Sequence, residues 1–355
     1  MLFNNKKKKT ILLTATFLFM ISQYVSAQDE IIDLKFEHPP VSDSDTSRTL
    51  QSLVKVKGTG QFCEDGLYLM THFGDLEDMF QKENQELIDN PFINQTWRHC
   101  SVFSTATENS VIVGRNWDNQ NVGSIIISLY HPPRGYSSIS FCRSIDLGFG
   151  HKDLEQHKSS IFGSKLLLAP FYAFDGINEH GLTVAVAAVR QTTHKPKGDT
   201  QLVFVTFLLR KILDQTKNIK EAVDIVEKFI PFDIDKNSLS SHFIVTDSSG
   251  RSVILEYDQD QWRKTYGHQS WQILTTKPIY NVSDEALREK CWRYRSISET
   301  LEQTKGNVDW KAGMNILQDV TQKGTTWSVI YSSTTKELYF SVYQKWDDIY
   351  HLIMP

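Results

Sequence analysis

Residues His99 to Asp118, HCSVFSTATENSVIVGRNWD, read as two short strands joined by a polar turn. Ser101–Thr105 and Val111–Gly114 carry the β-branched and aromatic side chains that suit a pleated, half-buried surface. Thr107-Glu108-Asn109-Ser110 between them is turn chemistry. Folding the strands antiparallel brings Cys100 across from the end of the second strand, near Arg115 to Asp118, with the register open by one residue. A thiol, a guanidinium and a carboxylate then meet at one end of one hairpin. A cation beside a thiol favours the thiolate, the reactive form of cysteine.

Working outward, Ser124–Tyr130 reads as a strand, and Asp175-Gly176-Ile177-Asn178-Glu179-His180-Gly181-Leu182 as a tight polar turn before the apolar strand Thr183–Val189. Gly176 and Gly181 suit unusual backbone angles there, and Asp175 and Asn178 can bond local amides. Leu202–Leu213 and Ile219–Phe229 have helical apolar spacing. Ser241–Asp247, Ser252–Tyr257 and Trp271–Thr275 read as strands, and Glu285–Glu302 as a helix. Gly324-Thr325-Thr326-Trp327-Ser328-Val329-Ile330-Tyr331 opens a closing hairpin. Strands, then helices, then strands predict an α+β fold with two antiparallel sheets covered by helices.

Composition sets outer bounds. The chain has 355 residues, 40% of them hydrophobic, enough to bury a large core as one large domain or two small ones. A net charge of −4 gives no electrostatic reason to expect a nucleic-acid partner. Lys6–Lys9, the apolar run Ile11–Ile21 and Val25-Ser26-Ala27 form a basic region, an apolar core and a small-residue cleavage site. Residues 1–27 are therefore expected to be a signal peptide, and the protein secreted or periplasmic, with no stable membrane span after signal removal; an uncleaved anchor is the alternative. Residues 28–60 read as loosely structured. From Tyr68 to Ile88 the apolar residues Leu69, Phe73, Leu76, Phe80 and Leu87 predict one helix, in a pro-segment or arm spanning 28–99 or as the first helix of an uninterrupted domain.

The cysteines are Cys63, Cys100, Cys142 and Cys291. If Cys100 is a nucleophile, at most one disulfide can form among the rest, and its connectivity is open. No Cys or His cluster has metal-ligand spacing, and no metal or cofactor is expected.

Cys100-Ser101-Val102-Phe103 followed by Gly114-Arg115-Asn116-Trp117-Asp118, the D-G-x-N-E-x-G-L string at Asp175–Leu182 and G-T-T-W-S-V-x-Y at Gly324–Tyr331 together resemble the cysteine-type N-terminal-nucleophile (Ntn) hydrolases. That group includes choloylglycine hydrolase, penicillin V acylase, isopenicillin N acyltransferase and the acid-ceramidase-like amidases. The resemblance covers residues 100–345 and implies a four-layer αββα sandwich, with 100–355 as the catalytic domain. It implies Cys100 as nucleophile, its freed α-amino group as base after a cut at His99–Cys100, Arg115 as the electrostatic holder of the thiol, and Asp118 as the carboxylate orienting the amine. The oxyanion would take a backbone N–H near Ala187 or Ala188 and an Asn side chain.

At that Asn position the chain departs from the pattern. Leu274-Thr275-Thr276-Lys277-Pro278 places Thr276 where the group often has Asn. Thr276 or nearby Asn281 is expected to serve, or the oxyanion hole is weak. A late family arginine falls on Arg293, with Arg295 as the fallback. The implied activity is hydrolysis of a linear amide C–N bond in a small N-acyl substrate through a thioester, by a possible homo-oligomer. An acyltransferase of the isopenicillin N type and a catalytically weak binding protein of the same fold are the alternatives.

Overall fold

The computed structural model describes residues 30–36, 49–56, 66–89, 100–119, 123–150, 154, 163–190, 201–232 and 239–355. The expected signal peptide, Cys63 and His99 lie outside the described residues.

Two large sheets carry the fold. Sheet I has the order β1 (Glu30–Asp33), β18 (Asp348–Ile353), β17 (Glu337–Val342), β16 (Thr325–Ser332), β5 (Val111–Asp118), β4 (Ser101–Ala106) and β15 (Trp271–Leu274). Sheet II has the order β14 (Gln261–Tyr266), β13 (Ser252–Asp258), β12 (Leu239–Thr246), β9 (Thr183–Arg190), β8 (Asp175–Asn178), β7 (Ser138–Arg143), β6 (Ile125–His131), β3 (Leu67–Phe73) and β2 (Thr49–Lys55). A separate parallel pair joins β10 (Gln201–Phe204) to β11 (Phe229–Phe232).

The inner faces of the two sheets meet through aromatic side chains. Phe141 of sheet II lies 5.9 Å from Trp327 and 5.4 Å from Phe340 of sheet I, ring centre to ring centre. The outer faces are covered by helices. Among them α1 is Glu77–Asp89, α2 Val205–Gln215, α3 Ile219–Val226, α4 Asp284–Lys290, α5 Trp292–Thr304 and α6 Trp310–Asp319. Helix α2 lies against β8 and β9 and α3 against β12, while α5 lies against β4 and β15 and α6 against β5 and β16. The result is the four-layer αββα sandwich. Strand β5, inside sheet I between β16 and β4, is buried along its whole length because both of its faces are covered.

Within the two sheets, pairings made only by strands after residue 100 are antiparallel, as the sequence predicts. Two further pairings are parallel, so both sheets are mixed: β1 with β18 and β3 with β6. Both parallel strands come from before residue 100. Among its described residues that stretch holds three strands besides its helix. Leu67–Phe73 is a buried strand, and the helix starts only at Glu77. A short, nearly continuous apolar run fits a buried strand as well as a helical stripe, and its parallel neighbour β6 decided between them. Residues 30–33 and 49–55 are strands as well.

The upstream stretch is tied to the rest by specific contacts. Asn84 of α1 donates to the Leu202 carbonyl at 3.1 Å and accepts the Phe204 N–H at 2.9 Å. Phe80 packs 5.4 Å from Phe171 and 5.1 Å from Phe207.

The expected helix 285–302 is broken at Cys291, which is extended (φ −142°, ψ 105°) and caps α5. Residues 175–182 also differ from a single turn. Asp175–Asn178 is a strand, and the turn follows it. Gly176 is needed there for space, since a Cβ would meet the Ile139 carbonyl oxygen at 2.6 Å; Gly181 supplies the left-handed turn residue, φ +76°.

Candidate active site

The β4–β5 hairpin has the predicted form. Ser101 pairs with Asn116 and Val102 with Arg115, so Cys100 lies at the level of Trp117, with Asp118 one residue beyond. Cys100, Arg115 and Trp117 project between the sheets. Ser101, Asn116 and Asp118 project towards the helices, where Asn116 donates to the Leu317 carbonyl of α6 at 2.7 Å.

Between the sheets, Arg115 is fully buried. Its Nη2 lies 3.6 Å from the Cys100 thiol, its Nη1 donates to the Phe174 carbonyl at 2.8 Å, and its Nε lies 2.8 Å from Asp175 Oδ2. Asp175 also accepts the Trp327 indole N–H at 3.1 Å and the Tyr331 hydroxyl. Burial pushes the Asp175 carboxyl above its ordinary value, and Arg115, Tyr331 and Trp327 pull it back. Trp117 stacks on Phe174 at 4.0 Å and on Trp327 at 5.0 Å, with the Arg115 guanidinium 4.9 Å from its ring. These rings close the inner side and leave the guanidinium few directions to take. A cation so fixed beside a thiol stabilises the thiolate.

On the helix side, α5 delivers Arg293. The break at Cys291 places this residue in the first turn of α5, aimed at the hairpin. Its Nη1 donates to the Cys100 carbonyl at 2.7 Å and to Ser101 Oγ at 3.3 Å, and lies 3.4 Å from Asp118 Oδ2. Its Nη2 lies 3.5 Å from Thr276 Oγ1. Asp118 Oδ1 accepts the Thr325 hydroxyl at 2.6 Å. Burial pushes the Asp118 carboxyl up to about 6, against the Thr325 hydrogen bond and the Arg293 and Arg115 cations, which lower it. A carboxylate that titrates near neutrality, linked to the Cys100 carbonyl through Arg293, can hold and release a proton there.

The five residues singled out from the sequence thus form one cluster. Arg115 touches the thiol, Arg293 touches the Cys100 backbone, and Asp118 and Thr276 touch Arg293. The structure prefers Arg293 to Arg295, which is exposed. Asn281 is exposed with φ +57°, a turn residue rather than a buried donor. Ala187 and Ala188 stand in sheet II opposite His242 and Ser241. Cys100, Cys142 and Cys291 are buried, and burial pushes the Cys142 thiol well above its ordinary value. Among the described residues no group of acidic, His and Cys side chains is arranged to hold a metal ion, and no helix is long and apolar enough to cross a membrane.

Sequence reasoning missed Asp175, Trp327 and Tyr331. Asp175 reads locally as a turn residue, but only Asn178 has that role: its Oδ1 accepts the His180 and Leu182 amides, each at 3.1 Å. The available signal was an Asp next to Phe174 before an apolar strand, together with the Trp and Tyr of the 324–331 string. Their partnership with Arg115 spans the two sheets and has no local periodicity.

The sandwich, with a Cys–Arg hairpin in one of its two sheets, defines an Ntn-hydrolase fold. The chain belongs to the linear amide C–N hydrolases of the choloylglycine hydrolase family, whose pattern it matches over residues 100–307. It is an amide hydrolase of the acylase kind. Among solved structures it is similar to penicillin V acylase from Agrobacterium tumefaciens, with 15% identity over 72% of this chain and 86% of that one, at a TM-score of 0.52. It is also similar to a mutant conjugated bile acid hydrolase from Clostridium perfringens, with 13% identity over 72% of this chain and 92% of that one, at a TM-score of 0.52. At these identities the likeness is one of fold. A search of curated proteins finds no match.

Proposed function

We propose that the chain is an exported cysteine Ntn amidase that cleaves the linear amide bond of a small N-acyl substrate through a thioester. The observation that carries this reading is the Arg115 guanidinium 3.6 Å from the Cys100 thiol, with Arg293 and Asp118 gathered at the Cys100 backbone. The α-amine of Cys100 takes the thiol proton, and the thiolate attacks the amide carbon. The tetrahedral oxyanion collapses, and the leaving amine takes the proton from the α-ammonium. Water, deprotonated by the same α-amine, then attacks the thioester, releasing the acid and regenerating the thiol. Asp118 and Arg293 orient the α-amine, and Thr276 stands in for the family Asn as an oxyanion donor.

This chemistry needs a free α-amine, so His99–Cys100 must be cut. Attack by the Cys100 thiol on the preceding carbonyl supplies the cut without another enzyme. Residues 28–99 would then stay bound as a separate chain, since β3 lies between β2 and β6 in sheet II and α1 is anchored at Asn84. The basic and apolar pattern of residues 1–27 supports export.

N-terminal sequencing of active protein tests the reading. It should give a chain starting at Cys100, while Cys100→Ala stays uncut and turns over none of penicillin V, a conjugated bile acid or N-lauroylglycine. Fully active protein with an intact His99–Cys100 bond would overturn the mechanism. Transfer of the acyl group to an added amine in preference to water would make the protein an acyltransferase.

A further inference from the structure

Sheet II reaches the end of β15 through a buried pair outside the chemistry described above. His242 on β12 stands opposite Glu256 on β13, and both are fully buried. His242 Nδ1 lies 3.1 Å from Glu256 Oε1, and its Nε2 lies 2.7 Å from the Thr275 carbonyl oxygen. Glu256 also accepts the Ile279 N–H, at 3.1 and 3.2 Å to its two oxygens, and the Tyr280 N–H at 2.6 Å. Both ring nitrogens face acceptors, so the ring that satisfies both donates twice and carries a positive charge. Burial pushes the Glu256 carboxyl up, but the His242 ring and the two amides outweigh it and hold it below its ordinary value.

A buried ion pair is a costly way to stabilise a core, because both charges lose their hydration. This one directs its hydrogen bonds onto a single loop, Thr275–Tyr280. In the β15–β4 ladder Leu274 stands opposite Val102, so two residues further on Thr276 comes level with Cys100. Arg293 bridges the two, touching Thr276 Oγ1 and the Cys100 carbonyl. The Thr275 hydroxyl beside it is buried with no hydrogen-bond partner among the described residues.

We infer that Glu256 and His242 are positioning residues that clamp the Thr275–Tyr280 loop, so that Thr276 meets the substrate's amide oxygen during turnover. The inference rests on the amidase reading above. A side chain as short as Thr, in place of Asn, needs a backbone held at a fixed distance, and the clamp supplies it from three directions.

The test is a double-mutant cycle between His242→Gln and Thr276→Ala, measured on the fastest substrate of the panel, with the rate of Cys100 alkylation by iodoacetamide alongside. His242→Gln should lower kcat by about tenfold or more while KM stays within about twofold, as expected for an interaction used in the transition state. Cys100 alkylation should not change, because Arg115 and not the loop activates the thiol. The double variant should be no slower than Thr276→Ala alone, since both changes remove the same interaction. If His242→Gln does not fold, Glu256→Gln, which keeps the size and one carbonyl acceptor, carries the same cycle. A kcat within twofold of wild type, or losses that multiply in the double variant, would overturn the clamp and leave the amidase reading standing. An active Cys100→Ala would overturn both.

Discussion

The two arginines of the site have opposite surroundings. Arg115 lies between the sheets, where its partners Asp175, Phe174 and Cys100, and the Trp327 and Tyr331 that donate to Asp175, are all buried. Arg293 comes from the helix layer, and its hydrogen bonds go to a backbone carbonyl, two hydroxyls and one carboxylate at 3.4 Å. The inner arginine has one counter-charge, which it cannot lose without leaving a buried cation unpaired. The outer one has several partial acceptors and can lose any single one. Damage to the inner pair should therefore appear as lost stability, and damage to the outer pair as lost rate.

The largest effect should come from Asp118→Asn, which removes the orienting carboxylate and keeps its size. The rate should fall by about two to four powers of ten, measured as kcat on the fastest substrate. Unchanged kcat would make Asp118 a structural residue. The same variant should not weaken the fold at pH 7. The folded carboxyl titrates at about 6, above its ordinary 3.8, so its ionisation opposes folding and the Asn variant should be more stable there, by up to about 3 kcal/mol. The stabilisation of the wild type by this group is complete below its unfolded pKa and is lost as pH rises through about 6. The advantage of Asn should therefore shrink on acidification from pH 7 to 4, which paired urea melts at several pH values would show.

Asp175→Asn sets two effects against each other: burial raises this carboxyl as well, so neutralising it relieves desolvation, but the fully buried Arg115 has no other carboxylate partner among the described residues. The substitution leaves the buried Arg115 without its counter-charge and should cost about 3–5 kcal/mol by urea unfolding. If this variant is as stable as wild type, the contrast between the two arginines fails. A smaller loss should follow Tyr331→Phe, which removes one donor to Asp175 and keeps the ring packed; about 1–3 kcal/mol is expected, because a buried carboxylate oxygen loses its partner. The smallest effect should be at Arg295. Its exposed side chain predicts wild-type activity for Arg295→Ala, whereas Arg293→Ala should be strongly impaired, and equal losses would undo the choice between them.

Much of the fold after residue 100 is legible in the chain. The hairpin 101–118, the strands 125–131 and 183–190 and the hairpin of β12 and β13 announce themselves through β-branched runs punctuated by turn residues. The upstream strands do not. Leu67–Phe73 is short and apolar, and its pairing with β6 joins residues separated by some sixty positions, which no local period reports. The Cys291 break is equally hidden, since no Gly or Pro marks it and only the extended backbone of Cys291 separates the two helices.

The sequence by itself determined the family and the five residues of the cluster, because motif residues need only their own spacing to be read. It brought Cys100 to the same end of one hairpin as Arg115–Asp118 but left the register open by one residue, which the pairing of Ser101 with Asn116 closed. Only the tertiary structure decided what holds that meeting in place. Asp175, Trp327 and Tyr331 come from the opposite sheet and the next strand, His242 and Glu256 from the far side of sheet II, and the choice of Arg293 over Arg295 from the side of α5 that faces the hairpin. Each depends on how the sheets stack and where a helix turns. Those outcomes are settled by packing of the whole core, in which one buried charge selects its partner across space rather than along the chain.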